Sequence, residues 1–156
     1  IAQKGGAERV IGLDSSFEML MRNPTTYRAA AIMENIPLAA ASIDVIVCGL
    51  AIGHLSTLET AFAEMARVIK PGGIALISDV HPELFSSGAQ RTFEINGIVF
   101  AVEHTPHTIA YVTRTAAAVG FTLGALSEPM LLSEDRQTGA TNAPVAVIYR
   151  FYRGIA

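Results

Sequence analysis

The apolar positions of residues 43–82, IDVIVCGLAIGHLSTLETAFAEMARVIKPGGIALISDVHP, change their period twice. Ile43, Val45, Ile46 and Val47 make a short continuous apolar block, the pattern of a parallel strand covered on both faces. Ser56 followed by Glu59 reads as a capping box, each side chain satisfying an orphan amide at a helix start. Leu58, Phe62, Met65 and Ile69 then recur at helical spacing and predict one apolar stripe laid against a sheet. Pro71, Gly72 and Gly73 stop the helix, because proline lacks the amide donor and glycine tolerates a left-handed turn. Residues 74–77 are the next strand. Strand, helix and strand in this order predict a β-α-β unit with its two strands parallel.

The same alternation extends to both sides. Residues 10–13 form an apolar strand closing on Asp14, and Ser15 with Glu18 reads as a second capping box opening a helix that Pro24 stops. Residues 27–32 are a weakly patterned further strand. Residues 83–107 leave the alternation: RTFEINGIVFAVE sets Asn96 and Gly97 between two strand-like runs, a hairpin inserted after a core strand as a lid or pocket wall. Pro106 suits a first helical position, and Ile109, Val112, Ala116 and Val119 give a helical face that Gly120 closes. Residues 121–126 are a strand, 131–141 a polar excursion, and 145–152 the final strand.

Composition narrows the class. A chain of 156 residues suits one domain, 51% apolar and 16% charged residues exclude a disordered tail, and a net charge of −3 without a basic cluster argues against nucleic acid as partner. The one cysteine, Cys48, lies in a predicted buried strand and reads as a small core hydrophobe. With no disulfide to form within the chain, a reducing cytoplasm is the default compartment, and neither a membrane span nor a signal-peptide pattern is present in these residues. The chain opens with Ile1 and IAQKGGAERVIGLD, which reads as a helix end running into a strand, so a piece of a longer protein is expected.

Candidate chemistry gathers at the carboxyl ends of the predicted parallel strands, where ligands bind in open α/β sheets. Asp14 either grips the vicinal hydroxyls of a ribose or caps the following helix. Gly49 allows a ligand close to the backbone. His54 has two readings, a general base and a structural helix-start residue. Asp79 and His81 alternate around Val80 and share one side of their strand; His81 is an acid/base or orienting candidate, or else a polar strand end. His104 and His107 are separated by Pro106 and lack a third ligand nearby, so no metal is assigned.

The ordered set of Ile43-Asp44 opening a buried strand, His54-Leu55 after it, ARVIKPGG at residues 66–73 and then an apolar strand resembles class I methyltransferases. It is most similar to the small-molecule enzymes using S-adenosylmethionine that include quinone-biosynthesis methyltransferases. The resemblance runs from about Glu8 onward and implies an α/β, Rossmann-like, doubly wound and mostly parallel sheet with an antiparallel last strand. It implies that Asp14, with Ser15, holds the cofactor ribose, that Ile32, Met33 and the backbone of Cys48, Gly49 and Leu50 line the adenosine and methionine site, and that His54 and His81 face a small-molecule acceptor. Just before the segment MENIPL, residues 33–38, Ile32 stands where the family has its adenine-binding Asp, unless the acid is shifted onto Glu34; its loss removes a charged hydrogen bond of about 1.5–3 kcal/mol and predicts weaker cofactor binding.

The resemblance further implies a first strand and a glycine-rich turn that these residues lack, since no apolar strand precedes Gly5 and Gly6. The expectation is a gap in mid-sheet between residues 10–13 and 43–47, with two inner edges ready to pair with other chains as a homo-oligomer. The rival reading is a cofactor-free Rossmann-like structural or interaction module, or an inactive fragment, favoured by the absent turn and by Ile32. A nicotinamide oxidoreductase is a third choice that ARVIKPGG fits poorly.

Overall fold

The computed structural model describes residues 6–86, 88, 90–130 and 144–155; the polar excursion expected at 131–141 lies outside them. The chain runs β1 (Ile11–Asp14), α1 (Phe17–Arg22), β2 (Tyr27–Ala30), β3 (Ile43–Gly49), a 3-10 turn at Ile52–His54, α2 (Glu59–Val68), β4 (Ile69–Val80), α3 (Glu83–Ser86), β5 (Arg91–Ile95), β6 (Ile98–Val102), α4 (Ile109–Ala118), β7 (Phe121–Ser127) and β8 (Ala146–Arg153). Strands β3 and β4 are parallel, as the β-α-β pattern requires, and β8 joins β4 antiparallel, giving the order β3-β4-β8-β7. A separate parallel pair joins β1 to β2. Among the described residues β1 pairs only with β2, and β3 only with β4, so the expected mid-sheet gap takes the form of two separate sheets.

Helices α2 and α4 cover one face of the four-stranded sheet. Leu58, Phe62, Met65 and Ile69 are all buried there with Val112, Ala116, Ala75, Ile77, Val147, Tyr149 and Phe151. Phe62 meets Phe121 and Phe151 edge-on at 6.5 and 6.2 Å, geometries that favour aromatic pairs. The opposite face departs from the sequence pattern. Val45 and Val47 are 50% and 72% exposed, so β3 is covered on one side only, because no described element packs over the other.

Local signals were honoured in kind more often than in position. Ser16, one residue after Ser15, caps α1 by accepting from the Met19 amide at 3.3 Å. Ser56 makes no cap for α2; the Leu58 amide instead donates to the Tyr111 hydroxyl at 3.2 Å, and that hydroxyl donates to the Glu59 carboxylate at 3.0 Å. Thr108, not Pro106, opens α4 by accepting from the Tyr111 amide. Helix α2 ends at Val68, before the Pro-Gly-Gly run. Residues 70–73 then bulge within β4, whose register jumps from Ile43↔Ile69 to Val45↔Ile74. Gly72, at φ 79°, makes that bulge possible.

Candidate active site

Strand β1 delivers Asp14 half-buried at its carboxyl end. One carboxylate oxygen accepts the Ser16 amide at 2.9 Å, and no donor among the described residues reaches the other. Asp14 therefore does not cap α1, which Ser16 does; it is a turn acceptor just ahead of the helix, with an oxygen to spare. Ser15 is exposed and takes no part in the cap.

The 32–38 segment after β2 is pinned to α2 by two side chains one helical turn apart. Glu64 accepts the Ile36 amide at 2.8 Å, while Arg67 donates to the carbonyls of Ile36 and Leu38, each at 2.8 Å, and forks onto Glu64 at 2.6 and 2.7 Å. Arg67 foremost, with the Ile36 amide second, holds the Glu64 carboxyl down at about 2. The pinned segment carries Met33 inward, where its sulfur lies 3.7 Å from the Cys48 sulfur on β3. Ile32 stays 53% exposed and Glu34 half-buried. Burial, and secondarily Asp79, push the Cys48 thiol up to about 11, so it stays protonated at neutral pH and serves as wall rather than nucleophile.

At the end of β3 the chain turns sharply. Leu50 adopts φ 55°, a left-handed conformation costing a non-glycine residue about 1–2 kcal/mol, and its amide donates to Ser78 O at 2.7 Å. A β-carbon on Gly49 would meet only Ser78 Oγ, at 3.6 Å, which leaves open space beside the strand end. Strain concentrated next to open space is a common mark of a ligand site.

The histidines fall into two sets. His54 is exposed on the 3-10 turn. His81 is buried with both nitrogens engaged: Nδ1 accepts the Glu83 amide at 3.3 Å, so Nε2 carries the proton and donates to Glu128 at 3.0 Å. In this state His81 orients Glu128 and offers no free nitrogen to a substrate. His107 donates to Leu55 O at 2.9 Å, and the Thr105 amide donates to Gly53 O at 2.7 Å, which lays the 104–107 segment along the turn bearing His54. His104 stacks on Phe85 at 4.6 Å and accepts from Arg91 at 3.4 Å. Burial lowers the His104 pKa against the pull of Asp79, with Arg91, His54 and His107 adding to the lowering. No group of three or more metal-ligating side chains occurs among the described residues.

Glu128, Arg91, Arg67 and Tyr149 were not singled out by sequence. The Tyr149 hydroxyl is buried without a partner among the described residues, and burial, then Asp79 and Glu128, raise its pKa. No periodic signal marks such residues, since Glu128 and Arg67 act through groups 29 or more positions away and the Tyr149 hydroxyl shows no partner among the described residues.

A parallel β-α-β core, an acid at one strand end and a strained turn at the next describe a nucleoside-cofactor fold, and the comparisons define which. Residues 1–77 match the family model of the methyltransferase domain. The match covers just under half of the chain and, with the solved structures below, makes it similar to the class I S-adenosylmethionine-dependent methyltransferases, whose cofactor is S-adenosylmethionine. Among curated proteins it is 29% identical over 115 residues to a malonyl-(acyl-carrier protein) O-methyltransferase of Enterobacter lignolyticus, covering 69% of this chain and 41% of that protein. It is 35% identical over 86 residues to a probable S-adenosylmethionine-dependent methyltransferase of Mycolicibacterium smegmatis, covering 53% and 34%. The chain therefore spans less than half the length of either relative. Among solved structures, an S-adenosylmethionine dependent methyltransferase of Mesorhizobium loti superposes with TM-score 0.74 at 20% identity, over 97% of this chain and 83% of that one. The 4+2 cyclase SpnF superposes with TM-score 0.69 at 13% identity, over 99% and 70%. Such likeness shows the fold alone, and the cyclase illustrates that the fold hosts more than one chemistry.

No helix among the described residues is long and apolar enough to cross a membrane. The residues present fit the adenosine half of the family's cofactor: a carboxylate with a free oxygen, a Met33–Cys48 apolar wall, and room beside Gly49.

Proposed function

We propose that this domain takes part in methyl transfer from S-adenosylmethionine to a small-molecule acceptor. The observation that carries the reading is Asp14, an acid at a parallel strand end with one oxygen uncommitted. When bound, the cofactor supplies a sulfonium methyl open to in-line displacement, and such chemistry asks the protein chiefly for positioning. Asp14, with Ser15 beside it, holds the ribose; Ile32, Met33 and the Cys48, Gly49 and Leu50 backbone line the adenosine and methionine side. His54, exposed and flanked by the segment that His104 and His107 anchor, is the better-placed acid/base group. His81 supports the acceptor side by fixing Glu128. Residues 83–107 act as the lid over that side. The names of the relatives speak of a malonyl group on an acyl-carrier protein, which keeps a carrier-borne acceptor as a variant of this reading.

Calorimetric titration of the chain with S-adenosylhomocysteine tests it. Saturable heat is expected, and Asp14→Asn should weaken binding roughly tenfold, the value of one hydrogen bond to a charged group. A second reading, a cofactor-free interaction module, is favoured by the β3 edge left unpaired among the described residues and by Ile32 at the acid's position. An absence of heat at millimolar ligand would leave that second reading standing.

A further inference from the structure

The hairpin formed by β5 and β6 has two unlike faces. Phe93 pairs with Phe100 and Ile95 with Ile98, and strand alternation puts these four on the same face as Arg91 and Val102 at the hairpin base. The four are 42–60% exposed, and the two phenyl rings stack at 5.2 Å. The other face is mixed, with Thr92 and Glu94 paired to Ala101 and Val99, the last 64% exposed. Asn96 and Gly97, at φ 52° and 79°, close the ribbon with a type I′ turn, which fixes this register. A contiguous apolar face presented to water on so small an element is the kind of surface that takes a ligand or partner.

At the hairpin base an open cleft of about 390 Å³, lined by Phe85, Gln90, Arg91, Ala101, Val102, Glu103 and His104, takes Arg91 and Val102 from the apolar face and Ala101 from the other. Arg91 gives one donor to His104 and makes no ion pair among the described residues, leaving most of its five N–H groups for an anion. Glu103 shares the cavity wall without reaching Arg91. Through the stack of His104 on Phe85 and its packing on Gly53, the cavity adjoins the turn that carries His54. A forked cation at one end and an apolar track leading away from it are complementary to one chemical type.

We propose that this site binds an alkyl carboxylate as the methyl acceptor, with the carboxylate on Arg91 and the alkyl chain along Phe93, Phe100, Ile95 and Ile98; a carboxylate oxygen would form the new O–CH3 bond as the sulfonium S–CH3 bond breaks, giving a methyl ester and S-adenosylhomocysteine. Its role as acceptor rests on the methyl-transfer reading, whereas binding rests on Arg91 and the hairpin alone. Octanoate, octanol and octylammonium, each titrated calorimetrically into the full chain at neutral pH and low salt, separate the terms. Octanoate should bind at least tenfold tighter than either analogue. Arg91→Gln should weaken octanoate roughly tenfold or more while leaving octanol unchanged. Phe93→Ser with Phe100→Ser should weaken octanoate but not acetate, and Glu103→Gln should bind octanoate as well or better. The substituted side chains lie outside the core, so an unchanged melting temperature controls for folding. Equal binding of octanol, indifference to Arg91→Gln, or no octanoate binding at millimolar concentration overturns the proposal. S-adenosylhomocysteine titrated in the same series keeps the two readings apart. If it binds and octanoate does not, only the inference falls; Arg91-dependent octanoate binding without it upholds the site and removes the cofactor.

Discussion

Replacing Arg67 by Ala should loosen the 32–38 segment without touching the core. Arg67 makes two contacts to Glu64 and two to carbonyls of the segment, and its side chain is 38% exposed. Solvent therefore screens the ion pair to the surface range of about 0.2–1 kcal/mol. The Ile36 carbonyl belongs to a buried residue, and losing its charged donor adds about 1–2 kcal/mol. The sum of about 2 kcal/mol corresponds to a fall in melting temperature of roughly 4–8 °C for a domain of this size. Hydrogen exchange localises the effect: the Ile36 amide, bonded to Glu64, should lose protection, while amides of β4 and β8 keep theirs relative to the melt. Because the segment carries Met33 against Cys48, S-adenosylhomocysteine affinity should drop severalfold in parallel. A variant melting within about a degree of the parent, with the Ile36 amide still protected, would refute the pinning argument.

Acid should release the same segment. The folded Glu64 pKa is depressed to about 2, so its stabilisation is fully present above its unfolded value near 4.5 and is lost as pH falls through about 2; exchange at Ile36 followed from pH 5 to 2 checks this. Gly53→Ala places a β-carbon into the His104 ring, which is itself stacked on Phe85, and should cost about 1–3 kcal/mol in thermal melts. That variant should also weaken octanoate, since His104 positions Arg91. Tyr149→Phe removes a buried hydroxyl that has no partner among the described residues, and should raise the melting temperature by roughly 2–4 °C, about 1 kcal/mol. A lower melting temperature would mean the hydroxyl is satisfied after all.

Elements set by short-range pattern were legible in the sequence. The Leu58, Phe62, Met65 and Ile69 stripe is buried to the last residue, Asn96 and Gly97 take the left-handed angles a tight hairpin needs, and Gly120 closes α4 at φ 86°. Capping signatures failed where a distant side chain competed. Ser56 lost α2 to Tyr111, which stands 53 positions from Leu58 and reaches it only because α4 packs beside α2. The continuous apolar block at residues 43–47 predicted a strand buried on both sides, yet hydrophobicity records what a face could bury and not what covers it. His81 was visible as a histidine at a strand end. Its engagement was not, since Glu128 lies 47 residues away. Of the candidate site, then, the positions of Asp14 and of the 48–50 turn were readable, whereas the partners that decide what each group is free to do were not.

Helix α2 gives those long-range contacts a common purpose. Its first turn receives Tyr111 from α4 through Leu58 and Glu59, and its last turns hold the 32–38 segment through Glu64 and Arg67. Between them Phe62 and Met65 are locked into the aromatic core. The proposed cofactor wall around Met33 and the proposed acceptor side around His54 and His107 are thus both referenced to one rigid helix. Methyl transfer depends on aligning donor and acceptor to within a few tenths of an ångström, and two walls tied to separate elements would drift relative to each other. Loss of either tie should therefore disturb alignment more than binding. Glu59→Ala, at the acceptor end, and Arg67→Ala, at the cofactor end, lie on opposite turns of the helix and share no partner. If α2 is the common reference, their effects on stability add, while their effects on turnover of any accepted substrate exceed the sum.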